Sequence, residues 1–250
     1  MTGTGANSTA LVTGASRGIG LGIANRLARS GYSLTITARD AERLDAVERD
    51  LRAAGAAEVV SIAGDMADES DIARVTEAHA DRFGSMTALI LNAGVGTVGE
   101  IGDFPLRRFD KTVAVNLRAP FQLLQQSLPL LRAGAAANPG RGAKVVALAS
   151  ITGVYAERGL AVYGATKAAL ISLAATLNAE ESGNGVCATT IAPAFVDTDM
   201  SAWTHEQIPP EAMLEVNDVV EVVDALLRLS SRAVIPNIVM TRSGTDGYRA

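Results

Sequence analysis

Near its N-terminus the chain reads Thr13-Gly14-Ala15-Ser16-Arg17-Gly18-Ile19-Gly20, between a short apolar run and a segment of helical composition. Glycines at a strand-to-helix turn remove Cβ atoms that would obstruct the backbone, so that main-chain N–H groups can approach a pyrophosphate closely. The positive end of the helix dipole adds to this attraction. The turn therefore predicts a nucleotide-binding βαβ unit; the alternative is a tight turn without a ligand.

Outward from this turn, β-rich runs alternate with segments of helical length, which is typical of repeated βαβ units. The predicted strands are Thr9–Thr13, Ser33–Ala38, Val59–Ala63, Ala88–Asn92, Lys144–Ala149, Val186–Ala192 and Ala233–Met240. The predicted helices are Gly18–Ser30, Ala41–Ala53, Ser70–Phe83, Leu106–Arg132, Ala161–Ser182 and Asn217–Leu229. Several strands are almost continuously apolar, as in a parallel sheet covered on both faces. This pattern predicts an α/β fold of the Rossmann type, with a doubly wound, seven-stranded, mostly parallel sheet.

The chain contains no stretch with the composition of an interdomain linker. Its one segment rich in helix breakers, Gly134–Gly142, is short and is interpreted as a surface loop. We therefore expect residues 1–250 to form a single dinucleotide-binding and catalytic domain. A short substrate loop is expected at about residues 198–216, after the sixth strand.

Composition excludes several classes of protein. Of the 250 residues, 48% are hydrophobic and 20% are charged, which suffices for a sizeable core. The net charge of −5 argues against binding to nucleic acid. One Cys and two His argue against a disulfide framework and against a metal site. The N-terminus has neither a basic region nor a long apolar stretch, so we expect no signal peptide, no membrane contact and a cytoplasmic location.

Tyr163 and Lys167 are four residues apart in a predicted helix and therefore lie on one face. A phenol with a pKa of about 10 is a poor base at neutral pH. A nearby ammonium group, and the positive ring of an oxidised nicotinamide, would stabilise the phenolate. Tyr163 could then donate a proton to a carbonyl group that is being reduced or remove one from an alcohol. The alternative is an ordinary pair on a helix surface.

Together, the TGASRGIG turn, the Asn92-Ala93-Gly94 turn and the Tyr-x-x-x-Lys pair resemble the short-chain dehydrogenase/reductase family. The resemblance extends to its 3-oxoacyl reductases and related carbonyl reductases. It implies a catalytic role for Ser150, 13 residues before the tyrosine, in hydrogen bonding to the substrate oxygen. It also implies that Asn116 holds a water molecule that connects the lysine to solvent. The catalytic set implied by the resemblance is Asn116, Ser150, Tyr163 and Lys167.

The same resemblance assigns cofactor contacts to the ends of several strands. It implies that Asp65 accepts a hydrogen bond from the adenine amino group, with Met66 beside it. It implies that the segment from Pro193 to Thr198 contacts the nicotinamide carboxamide, although Ala194 replaces the family's usual glycine. The complete predicted cofactor set is Gly14, Ser16, Arg17, Gly18, Ile19, Gly20, Arg39, Asp65, Met66, Asn92, Ala93, Gly94, Tyr163, Lys167, Pro193, Val196 and Thr198.

The end of the second strand favours NADP(H) over NAD(H). An enzyme that selects NAD has an acid there for the ribose 2′-hydroxyl, whereas one that selects NADP has a cation for the 2′-phosphate. Ala38 occupies the position at which the family usually carries that acid, and Arg39 follows it. Arg17, in the glycine turn, supplies a second guanidinium. Asp40 is predicted to cap the next helix, although its distance from the glycine turn also suits an NAD-selecting acid.

The leading prediction is an NADP(H)-dependent oxidoreductase that transfers a hydride between the nicotinamide and a small-molecule carbonyl or alcohol. Alternatives are a 3-oxoacyl-thioester reductase of the same family and a non-catalytic protein that senses NADP(H). An RNA-binding module is disfavoured by the net acidity. The helices at 106–132 and 161–182 carry more apolar positions than one sheet face needs, and related enzymes pair these helices, so a homodimer or homotetramer is expected.

Overall fold

The computed structural model describes residues 8–248, in which βα units follow one another along the chain. The strands are β1 (Thr9–Thr13), β2 (Ser33–Ala38), β3 (Glu58–Ala63), β4 (Ala88–Leu91), β5 (Ala143–Leu148), β6 (Val186–Pro193) and β7 (Asn237–Met240). The helices are α1 (Gly18–Arg29), α2 (Ala41–Ala54), α3 (Glu69–Phe83), α4 (Leu106–Val113), α5 (Ala119–Ala137), α6 (Ala161–Glu181) and α7 (Val216–Arg228).

The strands form one sheet in the order β3-β2-β1-β4-β5-β6-β7. Every pairing between neighbours is parallel, which confirms the predicted doubly wound fold. The strand order reverses between β1 and β4, and in such sheets a crevice for ligands opens beyond the carboxyl ends of the strands at this point. The glycine turn follows β1 and the Asn92-Ala93-Gly94 turn follows β4, so both predicted motifs lie at the switch point.

Two helix layers cover the sheet, and successive residues of one strand pack into different layers because side chains alternate across a strand. In β1, Ala10 and Val12 pack in the core beneath α1, α2 and α7. Leu11 packs in the opposite core, beneath α3, α5 and α6. All three are fully buried, which explains why the central strands are apolar without interruption. None of the helices in residues 8–248 is both apolar enough and long enough to cross a bilayer.

The predicted long helix over residues 106–132 differs from the structure in two ways. A π-helical turn, Ala114–Arg118, separates α4 from α5. In addition, α5 continues to Ala137 and includes Gly134, which was interpreted as the start of a loop. A Cβ at Gly134 would collide with the carbonyl of Met86, so this glycine permits close packing rather than ending the helix.

The last strand also begins later than predicted, at Asn237 instead of Ala233. Pro236 precedes it and offers only its carbonyl group, which accepts a hydrogen bond from the backbone N–H of Thr190 at 3.1 Å. Because a proline has no N–H to donate, regular pairing begins after it.

His79, on α3, is a neutral buried side chain that links the helix to the sheet. Its Nδ1 lies 2.9 Å from the Thr35 hydroxyl, and its Nε2 lies 3.1 Å from the carbonyl oxygen of Ser85. Since a carbonyl can only accept, Nε2 carries the proton and Nδ1 accepts from Thr35. Burial lowers the pKa of His79 to about 4.

We expect His79 to destabilise the fold in acid. Its pKa is lower in the folded chain than in the unfolded chain, so the unfolded state gains a proton first as the pH falls from 6.5 towards 4. This difference costs about 3 kcal/mol of unfolding free energy by pH 4. Urea denaturation over this range checks it, because His79→Gln should lose less stability in acid than the wild type. Thr76→Val, at a buried residue of the same helix that does not titrate, is the control and should keep the wild-type slope.

Candidate active site

The glycine turn after β1 has the backbone that its sequence predicts. Gly14 and Gly18 have φ angles of 65° and 54°, in the left-handed region that favours glycine. Gly20 is tightly packed, because a Cβ there would collide with the carbonyl oxygen of Gly14. Ser16 and Ile19 are half-buried in the same turn. The predicted glycines therefore shape one compact backbone loop.

The turn after β4 holds the glycine turn in place. The Asn92 side chain donates hydrogen bonds to the carbonyl oxygens of Thr13 and Gly14, at 2.9 and 3.1 Å. In return, the Thr13 hydroxyl accepts from the backbone N–H groups of Asn92 and Ala93, each at 3.0 Å. Asn92 thus positions the loop through its side chain. The role of the Thr13 hydroxyl in this contact is not predicted by any of the sequence motifs.

The N-terminus of α1 differs from those of the next two helices. Asp40 and Asp68 cap α2 and α3 by accepting hydrogen bonds from backbone N–H groups of the first turn. At α1 the capping position is Arg17, no side chain caps the helix, and the first turn contains no acid. Its N–H groups and the positive end of its dipole therefore suit an anionic group, which is the arrangement that binds a pyrophosphate.

Asn116 lies in the π-helical turn between α4 and α5 and is buried. Its side-chain oxygen accepts from the N–H of Val95 at 2.9 Å, and its amide nitrogen donates to the carbonyl of Val95 at 3.0 Å. The same nitrogen lies 3.3 Å from the hydroxyl of Thr166, on α6. The Asn116 side chain thus joins the segment after β4 to α6, and π-helical turns of this kind often occur at functional sites.

Ser150 and Tyr163 meet where β5 ends and α6 begins. The side chain of Ser150 lies close enough to the Tyr163 hydroxyl to lower the pKa of the phenol. Ser150 is buried, and its oxygen also accepts from the N–H and the hydroxyl of Thr152, at 3.2 and 2.9 Å. The two predicted catalytic residues are therefore neighbours. Thr152, which is bonded directly to Ser150, was not among the residues predicted from the sequence.

Lys167 lies one helical turn beyond Tyr163, as the spacing predicts. It is 4% exposed, and its ammonium nitrogen donates to the carbonyl of Leu148 at 2.6 Å. That nitrogen lies 5.6 Å from the centroid of the Tyr163 ring. A Cβ added at Gly94 would lie 3.6 Å from it and 3.5 Å from the Asn116 side-chain oxygen. Gly94, Asn116, Tyr163 and Lys167 therefore form one cluster.

The protonation of this cluster differs from the expectation. Desolvation raises the pKa of Tyr163 to about 12, and the hydrogen bond from Ser150 only partly opposes this. Desolvation also lowers the pKa of Lys167 to about 8. Both groups are held in an apolar setting that disfavours their charged forms, so in the protein alone the lysine does not lower the pKa of the phenol.

The candidate 2′-phosphate residues have unequal surroundings. Arg39 is exposed directly after β2, and Asp40 caps α2 as predicted, accepting from the N–H of Arg43 at 3.1 Å. Arg17, however, forms an ion pair at 2.8 Å with Asp199, in the loop after β6. The loop thus reaches across to the glycine turn, a contact that the sequence did not predict.

Two further predicted cofactor residues follow β3. Asp65 is half-buried, and its carboxylate accepts from the backbone N–H of Ala67 at 3.0 Å. Its own N–H donates to the Asp71 carboxylate at 2.8 Å, which fixes the turn. Met66 is buried and packs in the core beneath α3, α5 and α6, so its side chain is part of the fold.

The segment after β6 contacts the glycine turn. Pro193 ends β6, and Val196 is buried and forms a β-bridge with Leu214. Thr198 lies against the glycine turn, because a Cβ at Gly18 would approach its methyl carbon to 3.3 Å. Thr198 therefore lies against the glycine turn, and Val196 pairs with the predicted substrate loop. Their contact with a nicotinamide carboxamide stays a prediction.

Comparison with known proteins identifies the family. The profile of the family described as short chain dehydrogenase matches residues 8–209. The chain belongs to the short-chain dehydrogenase family. D-beta-hydroxybutyrate dehydrogenase of Rhizobium meliloti is 32% identical over 205 residues, which are 82% of this chain and 76% of that protein.

Two solved structures extend the similarity to the whole fold. A short chain dehydrogenase from Burkholderia cenocepacia in complex with NADP has a TM-score of 0.82 and 30% identity, covering 94% of this chain and 95% of that one. A 3-oxoacyl-[acyl-carrier protein] reductase from Brucella melitensis in complex with NAD has a TM-score of 0.84 and 26% identity, covering 95% and 96%. This short-chain dehydrogenase is thus an oxidoreductase of a family that uses nicotinamide cofactors.

The residues of this short-chain dehydrogenase fit such a cofactor. The glycine turn provides backbone that a Cβ would obstruct, beside an α1 N-terminus without a side-chain cap. Within residues 8–248, no group of three or more His, Cys, Asp or Glu side chains could hold a metal ion.

A cavity of about 640 Å³ adjoins the start of α6 in this short-chain dehydrogenase. Its apolar lining includes Val98, Leu160, Phe195 and Trp203, and its polar lining includes Arg242 and Glu157. Trp203 is 57% exposed and contacts the Phe195 ring edge to face, with 5.8 Å between the ring centroids. The predicted substrate loop thus contributes one wall of a cavity whose lining is partly apolar and partly polar.

Proposed function

We propose that this short-chain dehydrogenase is an NADP(H)-dependent reductase of carbonyl compounds, with Tyr163 as the general acid. The observation that carries the proposal is the position of Tyr163, which lies next to Ser150 and one helical turn from the buried amine of Lys167. Ser150 and Tyr163 lie on elements that follow β5, near the switch point of the sheet. This is where a doubly wound sheet binds its ligands.

In the proposed reaction, each side chain has a separate role. The nicotinamide supplies the hydride when it is bound. Ser150 donates a hydrogen bond to the substrate oxygen and holds it beside the Tyr163 hydroxyl. Tyr163 then transfers its proton to that oxygen, and Lys167 stabilises the phenolate that remains. Asn116 holds α6 and the segment after β4 together through its hydrogen bonds to Thr166 and Val95.

The pKa of Tyr163 gives the free enzyme the protonation state that carbonyl reduction requires. At about 12, this pKa keeps the phenol protonated throughout the neutral range, so that a proton is ready for transfer to a carbonyl oxygen. Oxidation of an alcohol would instead require the phenolate, which the apolar setting disfavours.

An absorbance assay of purified protein with NADPH and a panel of carbonyl compounds tests the proposal. The panel should contain small ketones, aldehydes, quinones, steroids and an acetoacetyl thioester. Loss of NADPH absorbance with at least one of them is expected. If NADPH binds but no compound is reduced, the non-catalytic NADP(H) sensor becomes the better interpretation.

A 3-oxoacyl thioester is the second candidate substrate, because two of the compared proteins are named for compounds that carry an oxygen at the third carbon of an acyl chain. These are the hydroxybutyrate dehydrogenase and the 3-oxoacyl-[acyl-carrier protein] reductase. The apolar lining of the cavity also suits an acyl chain. In the assay, a preference for acetoacetyl thioester over a simple ketone of similar size would favour this candidate.

The surroundings of β2 support NADP(H) as the cofactor. Arg39 is exposed beside the last residue of that strand, whereas Asp40 is committed to capping α2. Arg17 could also grip the 2′-phosphate, but Asp199 competes for it in the free protein. Arg39 is thus the cation that we expect to decide between the two cofactors.

Replacing Arg39 by alanine should weaken the binding of NADPH without affecting the binding of NADH. Loss of a charged hydrogen bond to the 2′-phosphate should raise the KM for NADPH about tenfold. Arg49→Ala removes another exposed guanidinium, from α2, and should leave both KM values unchanged. An equal loss with both cofactors, or a change of preference only in an Asp40 variant, would contradict the role of Arg39.

A further inference from the structure

The hydroxyl of Ser150 can donate one hydrogen bond and accept two, and a neighbouring residue provides the donors for both that it accepts. The backbone N–H of Thr152 donates to the Ser150 oxygen at 3.2 Å, and the Thr152 hydroxyl donates to it at 2.9 Å. A serine hydroxyl has two acceptor lone pairs and one proton. With both lone pairs engaged by Thr152, Ser150 can only donate to its remaining partner.

The Tyr163 hydroxyl is the neighbouring group available to this proton, because Ser150 lies close enough to lower the pKa of the phenol. A proton donated by Ser150 to the phenol oxygen stabilises the phenolate, which agrees with the lowering effect of this hydrogen bond on the pKa of Tyr163. When a substrate oxygen lies between the two side chains, the same orientation makes Ser150 a donor to that oxygen. We propose that Thr152 is a positioning residue that fixes Ser150 as a hydrogen-bond donor toward Tyr163 and the substrate carbonyl.

The packing of Thr152 restricts the Ser150 hydroxyl to this orientation. Thr152 is 7% exposed, in the short 3₁₀ turn Ile151–Gly153 that Ser150 begins. That turn is pressed against α6, since a Cβ at Gly164 would lie 2.7 Å from the carbonyl oxygen of Thr152. A Cβ at Gly153 would likewise lie 2.7 Å from the carbonyl carbon of Lys167. The turn therefore has little room to move relative to Tyr163.

The inference rests on the proposed function, and two substitutions separate the hydroxyl from the shape of the side chain. Thr152→Val keeps the branched shape without the hydroxyl, and it should lower kcat for carbonyl reduction by about 3- to 10-fold, the loss expected for one hydrogen bond. Thr152→Ser restores the hydroxyl and should recover most of the rate. The KM for NADPH should change little in either variant.

A double-substitution experiment distinguishes positioning from a merely structural role. If Thr152 acts through Ser150, then Thr152→Val should cost nothing further in a Ser150→Ala background. The pH profile for alcohol oxidation should also shift to higher pH in Thr152→Val and return in Thr152→Ser, because the phenolate loses a donor. Thr76→Val removes a buried hydroxyl from α3 and is the control for stability, without an expected effect on rate.

Three results would overturn the inference. One is a wild-type rate in folded Thr152→Val, another is an equal fold-loss with and without Ser150, and the third is failure of Thr152→Ser to recover the rate. If Thr152→Val does not fold, Thr152→Ala, compared with Thr152→Ser, gives the same test. Failure of the proposed function is recognised separately, because Tyr163→Phe would then be as active as the wild type.

Discussion

Replacing Tyr163 by phenylalanine should lower kcat for carbonyl reduction by about 10²- to 10⁴-fold, the range that a general acid contributes. The substitution removes only the hydroxyl group that lies next to Ser150, and the ring keeps its place on α6. Binding of NADPH should stay within a factor of about two, because the phosphate cradle is built from other elements. Steady-state rates together with NADPH fluorescence titration measure the two effects separately.

Tyr155→Phe is the matched control for this experiment. Tyr155 is also half-buried, and its ring contacts Tyr248 edge to face, with 5.1 Å between the centroids. Removal of its hydroxyl should leave kcat unchanged. A Tyr163→Phe enzyme that reduces carbonyls at nearly the wild-type rate would refute the assigned chemistry, whatever its affinity for the cofactor.

The sequence predicted the sheet and the backbone of the glycine turn well, because both depend on local rules. The apolar runs gave every strand, since parallel strands are buried on both faces, and the glycines marked a turn where positive φ angles are required. The spacing of Tyr163 and Lys167 predicted a shared helix face, and the structure brings both to one cluster. The predicted capping role of Asp40 is confirmed for the same reason.

Features that depend on contacts distant in sequence could not be predicted in this way. The π-helical turn that contains Asn116 leaves no mark in the hydrophobic periodicity, and Gly134 resembled a helix breaker until its packing against Met86 was known. The ion pair of Arg17 with Asp199 joins residues far apart in the chain. Thr152 follows Ser150 by only two residues, but its importance depends on where Tyr163 lies.

The pKa values are the clearest case, because the sign of the expected shift was reversed. The spacing of the two residues indicated that Lys167 would lower the pKa of Tyr163, but this expectation left out the desolvation of both groups. In the fold, both are desolvated, and the pKa of the phenol rises while that of the amine falls. Proximity of a cation is therefore insufficient, and burial decides which charged form is available before the cofactor binds.

Replacing Lys167 by methionine should produce the second large effect. Methionine fills a similar volume but carries no charge, so the phenolate of Tyr163 loses a cation 5.6 Å from its ring. An opposite charge at such a distance changes a pKa by about 1 to 3 units, which corresponds to an expected loss of about 10- to 10³-fold in kcat/KM. The loss should be larger for alcohol oxidation, which needs the phenolate as the base.

The pH profile separates the charge of Lys167 from its packing. Burial lowers the pKa of this amine to about 8, so it is charged below that pH and neutral above it. Wild-type reduction should therefore decline above pH 8, and Lys167→Met should lack that decline. Lys144→Met removes another buried ammonium, which donates to the carbonyl of Ser230 at 2.9 Å. Because Lys144 lies at the opposite end of β5 from Ser150, its loss should alter stability alone, and an identical pH profile in both variants would assign the decline to a different group.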